Sequence, residues 1–149
     1  MAQKPNSRQG LIDGLNADLA REYQAIIAYV VYSQTLKGAQ YMAIADELEK
    51  HAAEELKHAI TVAKHIDYLG GTPVVVPAKV VVTKKAEEML RADLENEKTT
   101  IQNYRQRLRQ CEEAGEYAIA EDLREILRNE QEHLTDLAMA LGIDPPAIT

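Results

Sequence analysis

Residues 15–22 of the chain read LNADLARE, and residues 90–97, which lie 75 positions later, read LRADLENE. A second motif repeats at the same separation, because EELKH at positions 54–58 returns as NEQEH at positions 129–133. One structural unit is therefore used twice, and we expect its two copies to face each other across a pseudo-two-fold axis. The repeat contains acidic and histidine residues, so it requires a chemical explanation as well as a structural one.

Glycine and proline divide the chain into four long segments. The five prolines stand at positions 5, 73, 77, 145 and 146, so none interrupts a long periodic stretch. Beyond the first segment the glycines fall at 38, 70, 71, 115 and 142, where they look like helix C-caps. Apolar residues within each segment recur at helical spacing. The sequence predicts helices over residues 9–37, 39–69, 84–114 and 116–141.

The links between these segments determine the topology. The first and third links are a residue or two around a glycine, so the first and second helices are predicted to be antiparallel neighbours, as are the third and fourth. The middle link, residues 70–83, has about 14 residues and can run back along the bundle. Six of its residues 74–82 are valines, whose β-branched side chains favour an extended backbone. We predict one all-α domain over residues 1–149, a four-helix bundle of two antiparallel hairpins joined by one long crossover.

Composition excludes several classes of protein. The formal net charge of −7 argues against a nucleic-acid partner, which would require clustered Lys and Arg. The single cysteine, Cys111, rules out an internal disulfide and favours a reducing compartment. Residues 1–8 lack the apolar stretch of a secretory leader, and the longest apolar run, residues 25–32, is too short to span a bilayer. We therefore expect a soluble cytoplasmic protein without a membrane partner.

Each predicted helix has one glutamate within its apolar stripe, near the middle of its length: Glu22, Glu55, Glu97 and Glu130. Four buried carboxylates without a counter-charge would be prohibitive, because even one unpaired buried charge costs several kcal/mol. Two divalent cations would neutralise them. The sequence thus predicts a metal site inside the bundle.

Two of these glutamates are followed at the third position by a histidine, which lies on the same helix face and can bind the same ion. The predicted ligand set is symmetric and has six members: Glu22, Glu55, His58, Glu97, Glu130 and His133. Carboxylate with imidazole suits iron, with manganese as the other option, and the absence of thiolate argues against structural zinc. A pair of irons in such a site suits two-electron oxidation by O2 or H2O2.

Two tyrosines and two further histidines could also belong to the site. Tyr29 and Tyr104 lie two turns beyond Glu22 and Glu97, where they either pack in the core or bond through their hydroxyls to a ligand carboxylate. Both alternatives stay open from the sequence. His51 and His65 are expected at the surface or its boundary rather than as ligands.

These residues resemble those of the bacterioferritins and their ferritin-like relatives, and the resemblance covers residues 11–141. It rests on the motifs at positions 54–58 and 129–133. It implies a ferritin-like bundle in which Glu22 and Glu97 are terminal ligands while Glu55 and Glu130 bridge two irons. It also implies oxidation of Fe(II) by oxygen or peroxide, often with storage of the ferric product inside a cage.

The sequence departs from that family at two places. Leu56 stands where the haem-ligating Met would follow Glu55, and Met42 lies nearly four turns away, so haem is not expected. The chain also ends within eight residues of Leu141, where the family continues into a fifth helix. We expect at least a homodimer and leave a larger cage open.

The leading hypothesis is a ferroxidase that serves iron storage or detoxification. A second hypothesis is a di-iron peroxidase or oxidase that stores no mineral, and a third is an assembly module in which the ions only hold the bundle together. A rubrerythrin-type peroxidase is disfavoured, because Cys111 is the only cysteine and Glu95 lies on the wrong face to add a ligand. The first helix is apolar on a second face, which predicts a two-fold dimer burying Tyr23, Ile27, Val30 and Val31 with a contribution from the crossovers.

Overall fold

The computed structural model describes residues 7–149, which form four long helices and no strand. The helices are α1 (Arg8–Thr35), α2 (Met42–Tyr68), α3 (Ala86–Glu113) and α4 (Tyr117–Leu141), with a short 3₁₀ turn at Ala39–Tyr41. The predicted helices begin and end within three residues of these bounds, and the all-α fold class is confirmed. The expectation about a leader concerns residues 1–6, which lie outside the described residues.

Glycines with positive φ stand at or just after the ends of α2, α3 and α4: Gly70, Gly115 and Gly142. At the α3 end, for example, Gly115 has φ 75° and the next amide, of Glu116, donates to the Cys111 carbonyl at 2.8 Å. The C-cap prediction is wrong for Gly38. Helix α1 already ends at Thr35, and Gly38 instead turns the chain, at φ 125°, into the 3₁₀ turn.

Residues 69–85 form the long crossover, which lies along α1 and runs parallel to it. The Ala78 amide donates to the Ala20 carbonyl at 2.9 Å, and the Val74 amide donates to Asn16 Oδ1 at 2.9 Å. Further along α1, the Tyr32 hydroxyl donates to the carbonyl of a later crossover residue, Val81. The extended valine-rich segment therefore satisfies part of its backbone on α1 rather than on a sheet.

The apolar core consists of two clusters at opposite ends of the bundle. One includes Leu15 and Leu123 and fills the end at which α1 and α4 begin. The other includes Leu48 and Leu137 and fills the end at which α2 begins and α4 ends. A layer of buried ionisable side chains lies between the two clusters, so the apolar ends close off the middle of the bundle. Nowhere within residues 7–149 is a helix both long and apolar enough to cross a membrane.

A buried ion pair breaks the symmetry of the repeat. Asp18 accepts from Arg107 Nε at 2.7 Å and from Nη2 at 3.2 Å. Gly14 makes this possible, because a Cβ there would lie 2.1 Å from Arg107 Nη1. In the other copy Asp93 matches Asp18, but Tyr32 stands at the position that matches Arg107. Asp93 Oδ2 is accordingly buried with no hydrogen-bond partner among the described residues, and burial raises the pKa of Asp93 well above its usual range.

We expect Arg107→Ala to lower the free energy of unfolding by about 3–5 kcal/mol, because it leaves the Asp18 carboxylate buried and unpaired. Arg124→Ala is the matched control, since the half-exposed Arg124 pairs with Glu112 and Glu121 at the surface and should cost less than about 1 kcal/mol. Urea unfolding at neutral pH measures both. Equal losses in the two variants would contradict the prediction.

Candidate metal centre

Six ionisable side chains from all four helices meet in the layer between the two apolar clusters. Each is at most 7% exposed: Glu22, Glu55, His58, Glu97, Glu130 and His133. They form two groups with potential ligand atoms within 4.8 Å of one another, namely Glu22, Glu55, His58 and Glu130, and Glu55, Glu97, Glu130 and His133. The structure thus brings together every residue that the sequence predicted for the site, and two of them belong to both groups.

The first group surrounds one ring nitrogen of His58. Its Nδ1 lies 2.7 Å from Glu130 Oε1, 3.3 Å from Glu55 Oε1 and 3.6 Å from Glu22 Oε2. Three carboxylates from three helices therefore converge on a single nitrogen. That is the arrangement of ligands around one ion.

The second group surrounds His133 in the same way. Its Nδ1 lies 3.1 Å from Glu55 Oε1, 3.6 Å from Glu97 Oε1 and 3.7 Å from Glu130 Oε2. Glu130 presents one carboxylate oxygen to each imidazole, and the same Glu55 oxygen lies near both. Glu55 and Glu130 are therefore the two carboxylates placed between the groups.

Among residues 7–149, most of the facing atoms are buried and, apart from their contacts with one another, have no hydrogen-bond partner. They are Glu22 Oε2, Glu55 Oε1, His58 Nδ1, Glu97 Oε2, both carboxylate oxygens of Glu130, and His133 Nδ1. Buried polar atoms are normally paired, because an unpaired one costs about 1–3 kcal/mol and more when charged. A set of unpaired oxygens and imidazole nitrogens pointing at one space has the composition of a site for iron or manganese. The residues present therefore fit a pair of such ions.

Two tyrosines hold the outer glutamates. The Tyr29 hydroxyl donates to Glu97 Oε1 and the Tyr104 hydroxyl donates to Glu22 Oε1, each at 2.6 Å. Of the two alternatives left open by the sequence, the geometry favours the hydroxyl bonded to a carboxylate. Burial, followed by the charge of the neighbouring carboxylates, raises the pKa of both tyrosines well above 10, so they remain hydrogen-bond donors. Each outer glutamate thus has one oxygen fixed and the other free to bind an ion.

The prediction that His51 and His65 lie at the surface or its boundary is wrong. Both are buried, His51 with 1% of its area exposed, because positions 51, 58 and 65 are seven apart and share the face of α2 that packs on α4. His65 Nε2 lies 2.8 Å from an Asp122 oxygen, and the His51 ring stacks on His133 with centroids 3.9 Å apart. The seven-residue spacing was the signal in the sequence that could have indicated this burial.

Sequence reasoning also missed Glu54, which lies at the rim of the site. Its Oε1 is 3.4 Å from Nε2 of His133, the nitrogen opposite the one that faces the centre, and its Oε2 accepts from Asn129 at 2.5 Å. Such a contact fixes the orientation of an imidazole ligand. A cavity of about 310 Å³, lined by Glu54, Asn129 and Asp122 among others, opens from the surface onto His58.

Comparison with known proteins gives a consistent result. A family model described as the ferritin-like domain matches residues 12–144. A bacterioferritin from Desulfovibrio desulfuricans is 33% identical over 126 residues, which cover 84% of this chain and 70% of that protein. A bacterial ferritin from Neisseria meningitidis is 29% identical over 115 residues, or 77% of this chain and 74% of that protein.

Solved structures agree with the sequence matches. A ferritin-like di-iron carboxylate protein from Bacillus anthracis is 31% identical, with a TM-score of 0.87 over 93% of this chain and 99% of that chain. A dodecameric thioferritin from Bacteroides fragilis is 27% identical, with a TM-score of 0.84 over 91% of this chain and 86% of that chain.

The pKa values of Glu22, Glu55 and Glu97 lie far from the ordinary range of a glutamate when no metal is present. Burial, then repulsion from Glu55 and Glu130, raises the pKa of Glu22 well above 4.5. Burial and repulsion from Glu130 raise the pKa of Glu97 to about 8. Both shifts have the direction that repulsion among facing carboxylates produces, because it favours the protonated form.

The pKa values of His58, His133 and Glu55 shift in the directions expected for ion pairs between imidazolium and carboxylate. Burial acts to lower the pKa of His58 and His133, yet the surrounding carboxylates raise both well above 6.5. Burial acts to raise the pKa of Glu55, but the two neighbouring imidazoles lower it to about 2. The metal-free centre is therefore held together by protonated histidines between ionised and protonated carboxyl groups.

We expect the metal-free protein to be less stable at pH 8 than at pH 5. A group whose pKa is raised on folding stabilises fully below its unfolded pKa and loses that contribution as pH rises through the folded value. Glu97 loses its contribution between pH 4.5 and about 8, and His58 and His133 lose theirs above pH 6.5. One pKa unit corresponds to about 1.4 kcal/mol, so the loss should reach a few kcal/mol.

Urea unfolding in the presence of a chelator at pH 5, 6.5 and 8 measures this dependence, and Glu97→Gln should flatten it below pH 8. Saturating metal should reverse the trend, because metal binding displaces protons from its ligands. A metal-free protein that gains stability over the same range would show that these groups are not arranged as described.

Proposed function

The chain belongs to the ferritin-like family, and from that membership we propose that it is a ferroxidase, which oxidises Fe(II) with O2 or H2O2 at two irons per subunit. The six predicted ligands would hold the irons, with Glu22 and Glu97 terminal and Glu55 and Glu130 between them. The reaction would serve iron storage or detoxification. Manganese could occupy the same donor set.

The observation that carries this proposal is the set of buried, unpartnered donor atoms in the six-residue centre. Four carboxylates and two neutral imidazoles have a charge that two divalent ions balance. A cluster of carboxylates at the surface would not require bound cations, because water could hydrogen-bond to each oxygen. The burial of these six side chains is therefore the reason to propose a resident pair of ions rather than loose binding of cations.

When bound, each iron can give up one electron, so that the pair can reduce its oxidant by two electrons. The protein's own residues hold the ligands in position and bind the protons that metal binding displaces. Tyr29 and Tyr104 hold the outer carboxylates, and Glu54 holds His133 from behind. Protons at Nδ1 of His58 and His133 must leave before those nitrogens can bind an ion, so uptake of Fe(II) should release protons.

We expect Glu130→Ala to slow aerobic Fe(II) oxidation by more than about 100-fold, because it removes a carboxylate that serves both groups. The matched control is Glu132→Ala, an exposed residue two positions along the same helix, which should oxidise Fe(II) at the wild-type rate. Stopped-flow absorbance of the ferric product measures the rates. Unchanged oxidation in Glu130→Ala would remove this residue from the site.

The same variant tests whether Glu130 is a metal ligand or a structural residue. Metal-free Glu130→Ala should be as stable as metal-free wild type or more so, because a buried charge has been removed. Its stabilisation by metal should shrink from the roughly 3–4 kcal/mol that ligand at 100–1,000 times Kd provides. Counting irons retained per subunit then separates the alternatives: many irons indicate storage, and about two with turnover indicate a redox enzyme without storage.

We also propose that the chain assembles at least as a two-fold dimer through α1 and α2. Ile27, Val30 and Val31 are 40–49% exposed along α1. Two further exposed apolar residues, Leu56 at 52% and Ile60 at 62%, lie on α2, which packs antiparallel against α1. Tyr23, which the sequence placed on this face, is half-buried and packs into the bundle core. One relative is described as a dodecamer, which is consistent with self-association in this family.

Val30→Glu should convert the assembly towards monomer at micromolar concentration, because it places a charge at the centre of the apolar face. Tyr117→Glu, an exposed apolar residue at the start of α4, is the control and should leave the assembly unchanged. Light scattering coupled to size-exclusion chromatography gives the mass of each variant. A wild-type monomer, or an unaffected Val30→Glu assembly, would rule out this face.

A further inference from the structure

A third group of potential ligands lies outside the six-residue centre, at the contact between the first half of α2 and the last part of α4. We propose that Glu47, His51 and Asp136 bind one divalent transition-metal ion, separate from the central pair. The atoms that the three residues offer lie within 4.8 Å of one another. The inference does not depend on whether the centre oxidises iron.

His51 forms the base of this outer site. Its Nε2 lies 3.2 Å from Asp136 Oδ2, and its ring is 1% exposed. Its other nitrogen, Nδ1, is buried and has no hydrogen-bond partner, so the contact with Asp136 is the ring's only hydrogen bond in the part of the chain that the structure describes. A buried imidazole that presents one nitrogen to two carboxylates is a typical donor arrangement for Fe(II), Zn(II) or Mn(II).

Glu47 and Asp136 form the rim. Their side chains are 41% and 40% exposed, so a hydrated cation can reach them without any movement of the backbone. Both line a cavity of about 240 Å³ that opens between the beginning of α2 and the end of α4. With a neutral imidazole the three ligands have a charge of −2, which one divalent ion balances. Lys50 Nζ, 2.9 Å from Glu47, is the cation that such an ion must displace.

A second His–Asp pair in the same interface provides a natural comparison. His65 and Asp122 pair at 2.8 Å, and Asp122 is 41% exposed, much like Asp136. No third carboxylate or imidazole completes a ligand group around that pair among residues 7–149. The pair is therefore explained as a hydrogen bond alone, whereas Glu47 gives His51 and Asp136 a third ligand.

The outer site would also be coupled to the central one through packing. The His51 ring stacks on His133 with centroids 3.9 Å apart, and the Tyr29 ring meets His51 edge-on at 5.0 Å. An ion bound to His51 would fix the ring against which His133 packs.

Zinc binding tests the proposal directly. Equilibrium dialysis of the metal-free full chain against Zn(II) should give a third equivalent beyond the central pair, and anomalous diffraction at the zinc edge should place it between Glu47, His51 and Asp136. Asp136→Asn and Glu47→Gln should each weaken only this equivalent by at least about tenfold. Asp122→Asn is the matched control and should bind as wild type. Lys50→Gln should strengthen binding, because it removes the competing ammonium.

Wild-type protein that binds no zinc beyond the central pair, or an Asp136→Asn variant that keeps the third equivalent, would overturn the proposal. The rim substitutions are nearly isosteric and half-exposed, so a folding defect is not expected, and far-ultraviolet circular dichroism checks this. Glu130→Ala separates failure of the outer-site proposal from failure of the central site. This variant should lose the zinc of the central pair and keep the outer equivalent. If it binds as much zinc as wild type, the result counts against the central site alone.

Discussion

Six ionisable side chains meet in the middle of the bundle, at most 7% exposed, and the repulsion among their carboxylates is the constraint on which the structure depends. Removing an ion from water costs several kcal/mol even after the protein relaxes. The two apolar clusters keep water from relieving that cost, and so they make neutralisation from within the site necessary. In the metal-free protein the two imidazoles supply part of this neutralisation, and they lower the pKa of Glu55 to about 2. Burial and repulsion from Glu130 instead raise the pKa of Glu97 to about 8.

The sequence repeat explains why the two halves of the chain contribute equivalent ligands to the centre. The Asp18–Arg107 pair, which departs from the repeat, shows where this symmetry is not required. Tyr29 from the first copy holds Glu97 of the second, and Tyr104 from the second holds Glu22 of the first, so each half of the chain orients a ligand of the other. The ligand set can be symmetric only if both halves are present and in register. The Asp18–Arg107 pair lies in one apolar end and has no counterpart at Asp93, so it stabilises the fold without affecting the equivalence of the ligands.

The features that could be predicted from the sequence are those that follow from residue spacing along the chain. The helix bounds, the crossover and the convergence of the six residues all followed from periodicity, from glycine and proline positions, and from the repeat. The burial of His51 was missed although the seven-residue spacing of histidines within α2 could have indicated it. Features that depend on the register between two helices were also missed, namely the contact of Glu54 with His133 and the pairing of Asp18 with Arg107. No pattern within a single helix specifies which residue of a neighbouring helix lies opposite. Gly38 was misread for a different reason, because a glycine near a helix end can also serve the following turn.

The interface between α2 and α4 shows how burial alone can assign different chemistry to similar pairs. Histidines at positions 51, 58 and 65 each meet a carboxylate of the antiparallel α4, and these are Asp136, Glu130 and Asp122. The two outer carboxylates are about 40% exposed and can be solvated, so each outer pair is stable as a hydrogen bond. Glu130 is fully buried among three other carboxylates, and its nearest described contacts are the imidazoles of His58, 2.7 Å from Oε1, and His133, 3.7 Å from Oε2. The same register thus produces a partly solvated pair at each edge and an electrostatic conflict among buried carboxylates at the centre, which must be neutralised from within the site.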